Sequence, residues 1–224
     1  IEPKRTPLDG WGRIAKRGFD IVVASCILLV ASPILVLSAL IIALQDGFPI
    51  LFHNERVGEG GRTFRVYKLR SMWKKYCIGP QFSTQENKQN VAFEQKLIRE
   101  KSIKTGPVYK IEGDPRITPF GRFIRRWSID ELPQFFNVLQ GTMSIIGPRP
   151  HQPREVAQYE QHHRRAFAIK PGITGMAQVS GRSDLTFDEE SRLDTWYIDH
   201  WSPWLDAVIL VKTPFVILKQ DGAY

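Results

Sequence analysis

Cysteine is almost missing from this chain: its 224 residues hold only Cys26 and Cys77. That excludes a disulfide framework or a thiolate zinc site and points to a reducing compartment. Metal-ligand spacing is missing too. The five histidines, His53, His151, His162, His163 and His200, form no HExxH pair and no other ligand set, so surface or core roles are expected of them. No GxSxG elbow occurs, and no Gly-Lys-Ser/Thr follows a glycine-rich loop, which removes the usual signatures of serine hydrolases and Walker nucleotide binding. There is no internal repeat. Apolar runs are scarce as well, with Ile21 to Leu44 the one long example, which excludes a multi-span enzyme within this stretch. The run is too long for a signal-peptide core, and no small-residue cleavage site follows it. Residue 1 is Ile rather than Met, so the sequence is expected to belong to a longer protein.

What is present begins with charge. Lysine and arginine number 31 against 23 acidic residues, a formal net charge of +8. An anionic partner is implied: nucleic acid, anionic lipid or a phosphorylated small substrate. The apolar run favours the last two, because it places the basic surface beside a phospholipid leaflet, and nucleic acid is not expected. At about 1.5 Å per residue the run is long enough to cross roughly 30 Å of hydrocarbon. Both of its flanks are basic. Lys4, Arg5, Arg13, Lys16 and Arg17 precede it; Arg56, Arg62, Arg65, Lys68, Arg70, Lys74 and Lys75 follow. Positive-inside reasoning therefore assigns both ends to the cytoplasm. Pro33 at the centre removes a backbone donor, and the Ser32 hydroxyl can satisfy the carbonyl so freed. We read residues 21–44 as a re-entrant helix broken at Ser32-Pro33, with a proline-kinked spanning helix as the alternative. Residues 1–20 read as an interfacial amphipathic helix, with Trp11, Ile14, Ala15, Gly18 and Phe19 at helical spacing.

Residues 45–224 read as a small cytosolic domain, giving an α+β, mostly helical, monotopic membrane protein. Pro49–Phe52 and Thr63–Leu69 alternate like two strands of a hairpin around Gly58–Gly61. One amphipathic helix is expected at Val91–Lys101. Thr118-Pro119 opens a helix with an N-cap and an N1 proline, its apolar face being Phe120, Phe123, Ile124 and Trp127. A short helix, Leu132–Gln140, should end at Gly141. A further helix spans Asp188–Ile198, and the tail from Trp201 to Leu218, interrupted by Lys212 and Pro214, suits an interfacial or core-packing role.

Asp130-Glu131 is the leading candidate for chemistry, since adjacent carboxylates near Arg122, Arg125 and Arg126 combine nucleophile, metal ligand and phosphate-binding charge. Capping and ion pairing is the competing reading. Ser128-x-x-Glu131 fits a capping box, but Pro133 would then lack an N–H that the helix needs; with Asp130 as cap, Pro133 falls at the harmless third position. Arg149, held between Pro148 and Pro150, has a preset direction suited to bidentate phosphate recognition, or to bonding loop carbonyls. The Lys170–Gly175 loop and Ser180-Gly181-Arg182 give a weak phosphate-cradle signal.

The ordered motifs Lys16-Arg17-x-Phe19-Asp20, Ser32-Pro33, Arg56-Val57-Gly58, Tyr67–Met72, Asp114-Pro115-Arg116-Ile117-Thr118, Asp130–Gln134, Gly147–Pro150 and Lys170–Gly175 cover nearly the whole chain. In them the chain resembles the bacterial sugar transferases, monotopic phosphoglycosyl transferases that start glycan assembly on a polyprenyl phosphate carrier. The resemblance implies a re-entrant helix and a two-step reaction on the cytoplasmic face of the bacterial inner membrane. In it Asp130 takes the phosphosugar from a UDP-sugar, UMP leaves, and the carrier phosphate accepts a hexose-1-phosphate such as that of glucose or galactose. It further implies that Glu131 helps to bind Mg²⁺, that Arg125 and Arg149 hold phosphate oxygens, and that Lys68 and Arg70 line the same pocket. An inactive membrane-tethered scaffold is the other function class weighed, and a homo-oligomer is left open. Compact members of that family are shorter between Met72 and Asp114, so residues 76–111 read as an insertion.

Overall fold

A computed structural model describes residues 7–219 apart from 9, 80–81, 83, 103–110, 112 and 182–184. Lys4, Arg5 and Arg182, and part of the expected insertion, therefore lie outside the described residues. Helix α1, Trp11–Asp46, runs through both N-terminal segments as one continuous element of 36 residues with Pro33 inside it, so the break expected at Ser32-Pro33 is not seen. The proline cannot donate to the carbonyl of Leu29, and the Ser32 hydroxyl donates to that same oxygen at 2.8 Å. The expected compensation is thus present, one residue from the defect.

The domain is stitched to both ends of α1. Near its start, Arg17 donates to the carbonyls of Val138 (2.5 Å) and Leu139 (2.8 Å), and Asp20 accepts from Ser144 and the Ile145 amide. Lys16 pairs with Asp206 at 2.7 Å and with Asp20 at 3.4 Å, all three buried. At its end, Arg70 donates to the carbonyls of Asp46, Gly47 and Pro49. Lys16 and Arg17 are thus spent inside the protein, and of the described N-terminal flank Arg13 keeps an exposed charge. Between these anchors Leu29, Val30, Val36, Leu37, Leu40 and Leu44 stand exposed, an apolar surface with no protein partner among the described residues.

Strands β1 (Leu51–Val57) and β2 (Thr63–Leu69) form the expected antiparallel hairpin, in register from Leu51 opposite Leu69 to Val57 opposite Thr63. Helix α2 is longer than expected, Thr84–Lys101. Helix α3, Pro119–Arg126, starts as expected, with the Thr118 hydroxyl accepting from the Gly121 amide. A Cβ on Gly121 would overlap the Ser71 carbonyl, so this glycine lets α3 rest on the strand exit. Its apolar stripe divides: Ile124 is buried, whereas Phe123 and Trp127 face outward.

A 3₁₀ turn, Ile129–Glu131, leads into α4, Gln134–Gln140, which ends at Gly141 with φ 85°. Asp130 does not cap this helix. Pro133 separates turn from helix instead, where its missing donor breaks the ladder. Asn137 on α4 accepts the Tyr67 amide and donates to the Arg65 carbonyl, fixing α4 to β2.

A parallel pair, β3 (Ser144–Ile146) and β4 (Gly172–Thr174), joins the two loops rich in proline and glycine. Cβ atoms at Gly147, Gly172 or Gly175 would overlap the facing backbone, and the Gly172 amide is taken by Pro148. These glycines permit close backbone approach, which corrects the phosphate-cradle reading of the Lys170–Gly175 loop. Short helices α5 (Pro153–Val156) and α6 (Met176–Ser180) precede α7, Phe187–Asp199, which carries a Thr186–Glu189 capping box. Helix α8, Pro203–Lys219, buries Ile209 and exposes Trp204, Val211, Phe215 and Leu218. The main core gathers Ala24, Val138, Met143, Ile145, Ile146, Tyr197, Ile198 and Ile209.

Candidate active site

Asp130 lies where three chain segments meet. Its turn follows Ser128, whose φ of 55° is the one positive value at a non-glycine among the described residues. A left-handed serine costs on the order of 1 kcal/mol, and such strain gathers at functional sites. The sharp turn puts Asp130 inside, 6% exposed, and leaves Glu131 partly accessible. Glu131 accepts from Lys68 Nζ at 2.6 Å, a contact bridging 63 residues of sequence. Arg125, from the last turn of α3, donates from Nε to the Ser71 hydroxyl at 2.7 Å.

Burial pushes the Asp130 carboxyl up to about 6. Lys68 opposes that most strongly, Glu131 adds to it, and Arg125 with a backbone amide opposes it again. The result is a desolvated carboxylate that still ionises near neutrality, a combination suited to a nucleophile. The structure thus brings together Asp130, Glu131, Lys68 and Arg125.

Arg70 stands apart. It is 3% exposed, and its guanidinium closes the C-terminal end of α1 while its Nη2 lies 3.4 Å from the Asp46 carboxylate. Its donors serve the helix end, which physically removes it from the phosphate-facing group expected above. Arg149 is exposed on its loop, which Arg56 secures through the Pro150 carbonyl and Glu155. Its backbone amide donates to Asp194 on α7, a residue that sequence reasoning missed. Asp194 is buried, and burial, with Glu190 nearby, raises its carboxyl to about 7. A signal did exist: Asp194 shares a helix face with buried Tyr197 and Ile198, an odd place for a charge.

Adjacent carboxylates with Glu131 accessible are hard oxygen donors of the kind Mg²⁺ prefers. His162, His163 and Asp188 also bring ligand atoms within 4.8 Å of one another. There, however, His163 Nδ1 accepts the Glu160 amide, so Nε2 carries the proton that it gives to Asp188 at 2.9 Å. His163 is thus a neutral imidazole hydrogen-bonded to a carboxylate, and both of its ring nitrogens are already engaged.

Comparison with known proteins adds to this geometry. The family model described as bacterial sugar transferase matches residues 11–220. The undecaprenyl-phosphate galactose phosphotransferase of Salmonella typhimurium is 41% identical over 212 residues, which is 95% of this chain and 42% of that protein. The UDP-glucose:undecaprenyl-phosphate glucose-1-phosphate transferase of Escherichia coli is 38% identical over 227 residues, covering 98% and 43%. The exopolysaccharide production protein ExoY of Rhizobium meliloti is 33% identical over 214 residues, covering 95% and 89%. The chain therefore spans about two fifths of the first two relatives and most of the third.

Proposed function

The chain belongs to the bacterial sugar transferase family, and from that membership we propose that it moves a hexose-1-phosphate from a UDP-sugar to a polyprenyl phosphate. Asp130 is the proposed nucleophile. Its carboxylate oxygen forms a bond to the β-phosphorus, the bond to the bridging oxygen breaks, and UMP leaves with that electron pair. The carrier's phosphate oxygen then attacks the same phosphorus and releases the aspartate, giving polyprenyl-diphosphate-sugar. Arg125 and Lys68 are the cations within electrostatic reach of Asp130, and they balance charge gathering on the transferring phosphoryl group. Arg149, exposed on its stiff loop, is assigned the remaining diphosphate charge. Glu131 is assigned to hold Mg²⁺, which when bound would neutralise diphosphate charge.

The observation that carries this reading is Asp130 buried beside a Glu131 that Lys68 holds at 2.6 Å, with burial raising the Asp130 carboxyl and Lys68 and Arg125 drawing it back down. A scaffold would gain nothing from such an arrangement. The same-side reading of α1 is supported by its anchors: Arg17 with Asp20 at one end and Asp46 with Gly47 at the other are bonded to a single domain. If α1 crossed the bilayer, about 30 Å of hydrocarbon would lie between these anchors, and a single domain bonded to both would have to pass through it. The active face would then lie at the cytoplasmic leaflet of the inner membrane, where a lipid-borne phosphate and a soluble nucleotide meet.

Intact-protein mass spectrometry tests the mechanism. The detergent-solubilised protein is exposed to Mg²⁺ with UDP-glucose or UDP-galactose and no acceptor, beside Asp130→Asn. A gain of one phosphosugar with UMP release, lost in the variant, is expected. Turnover without any adduct would point to direct transfer, and no turnover at all to the scaffold.

A further inference from the structure

One buried charge cluster takes no part in the proposed chemistry. Glu94 on α2 is 8% exposed, and each of its carboxylate oxygens accepts from a different arginine. Arg116 reaches Oε2 through Nη1 at 3.0 Å, and Arg154 reaches Oε1 through Nη2 at 2.6 Å. The two arginines come from separate segments, and each segment carries one of the arginines assigned to phosphate.

Arg116 belongs to the run that enters α3. Its guanidinium is also clamped on Asp114, whose carboxyl burial alone would raise but which those bonds hold below the ordinary range. Its carbonyl accepts the Trp73 amide, and two residues on Thr118 caps the helix that carries Arg125. Arg154 lies on α5, five residues after Arg149. The Arg149 loop is otherwise tied towards β1, by Arg56 and the Val57–His151 bridge, and towards α7, by Asp194. Glu94 ties it towards the Arg116–Arg125 side.

We propose that Glu94 is a positioning residue that sets the separation of Arg125 and Arg149, the two arginines assigned to the nucleotide diphosphate. This rests on the transferase reading above. Helix α2 does not need Glu94 in order to dock. Asn90 bonds the carbonyls of Lys75 and Cys77, Phe93 stacks on Tyr76, and Leu97 is buried. A buried carboxylate is also a poor source of stability, because desolvation consumes most of what its ion pairs return. What it supplies is fixed geometry, and for a diphosphate gripped from two sides a shift near 1 Å is costly.

The test uses Arg154, whose half-exposed side chain can be removed with little risk to folding. Steady-state transfer from UDP-glucose and UDP-galactose, inhibition by UMP and thermal unfolding are measured for wild type, Arg154→Ala, Arg154→Lys and Glu94→Gln. For Arg154→Ala the expected result is a KM for the UDP-sugar raised about tenfold, UMP inhibition weakened by a similar factor, kcat within about twofold and unfolding little changed. Arg154→Lys should recover part of the loss, and Glu94→Gln should match or exceed it. Unchanged KM and UMP inhibition in both Arg154→Ala and Glu94→Gln, or a lowered unfolding temperature with neither affected, would overturn the positioning role. Wild-type protein that forms no phosphosugar adduct and releases no UMP would instead overturn the transferase reading itself.

Discussion

Replacing Lys68 by methionine keeps most of the aliphatic stem and deletes the charge that most opposes the burial of Asp130. With the Asp130 carboxyl at about 6, roughly nine tenths of it is ionised at pH 7. An opposite charge at close range is worth about one to three pH units, so its loss should carry the midpoint to between about 7 and 9. Glu131 reinforces the change, since it loses its 2.6 Å partner and its charge raises the Asp130 carboxyl. For a shift of one to two units the ionised fraction at pH 7 falls to between about a half and a tenth. A carboxylate nucleophile works only when ionised, so the acid limb must move upward and activity must return in alkali. Single-turnover release of UMP, followed from pH 5 to 9.5, reads the midpoint directly. If Lys68 merely gripped substrate phosphate, the plateau would drop with its midpoint still near 6, and that result would refute the argument.

Other perturbations separate structural from chemical roles. Arg70→Met should destabilise the protein by about 3–5 kcal/mol in thermal unfolding, because it strips a buried cation and its fork of donors from the end of α1; normal stability with a raised KM would return Arg70 to the phosphate site. Asp194 has a folded value of about 7, above its ordinary 3.8, so its ionised form costs folding energy above that pH and the cost fades as pH falls towards 4. Asp194→Asn should therefore gain unfolding temperature over wild type most at pH 8.5, with a ceiling of about 4 kcal/mol, by less than half of that at pH 5 and not at all below about pH 4; a gain larger at acid pH would contradict the sign. The same-side reading relies on Pro33 to let α1 turn back; Pro33→Leu restores the missing donor to Leu29, so membrane-impermeant labelling of cysteines placed at Arg13 or Arg62 should change from neither site to one. Labelling of either site from outside in the Pro33 parent would end the same-side reading.

Local features were legible in the chain itself. Thr118-Pro119, the Gly141 stop and Ser32 beside Pro33 each depend on neighbours within four residues, and each does what its chemistry dictates. Asp130 next to Glu131 was legible for the same reason, although capping could not be dismissed until Glu131 was seen on Lys68. Arg70 shows where pattern reasoning stops. On a continuing strand it would share the face of Lys68, but β2 ends at Leu69, the Arg70 amide bonds Ile50, and its side chain turns to the helix end. Asp194 and Glu94 act on residues 45 and 60 positions away, respectively Arg149 and Arg154, and nothing in a local window reports such partners. The glycines of the Lys170–Gly175 loop misled because close approach to a facing backbone and close approach to a phosphate demand the same residue.

The anchoring of α1 has a consequence for the chemistry proposed here. Arg70 binds the exit of α1, Lys68 is two residues back along β2, and Lys68 meets Glu131 beside Asp130. At the other end Arg17 binds the last carbonyls of α4, the helix that follows the Asp130 turn and that Asn137 fixes to β2. Both ends of the membrane helix are therefore bonded to the two elements that position the nucleophile. A soluble enzyme on a flexible tether would sample many heights above the leaflet, and each would have to be searched before a lipid-borne phosphate met the carboxylate. On the proposed same-side reading, the depth of α1 in the membrane fixes the height of Asp130. With the carrier's phosphate at the headgroup level, that constraint turns a three-dimensional encounter into a search within the plane of the membrane, and it does so without moving charge into hydrocarbon.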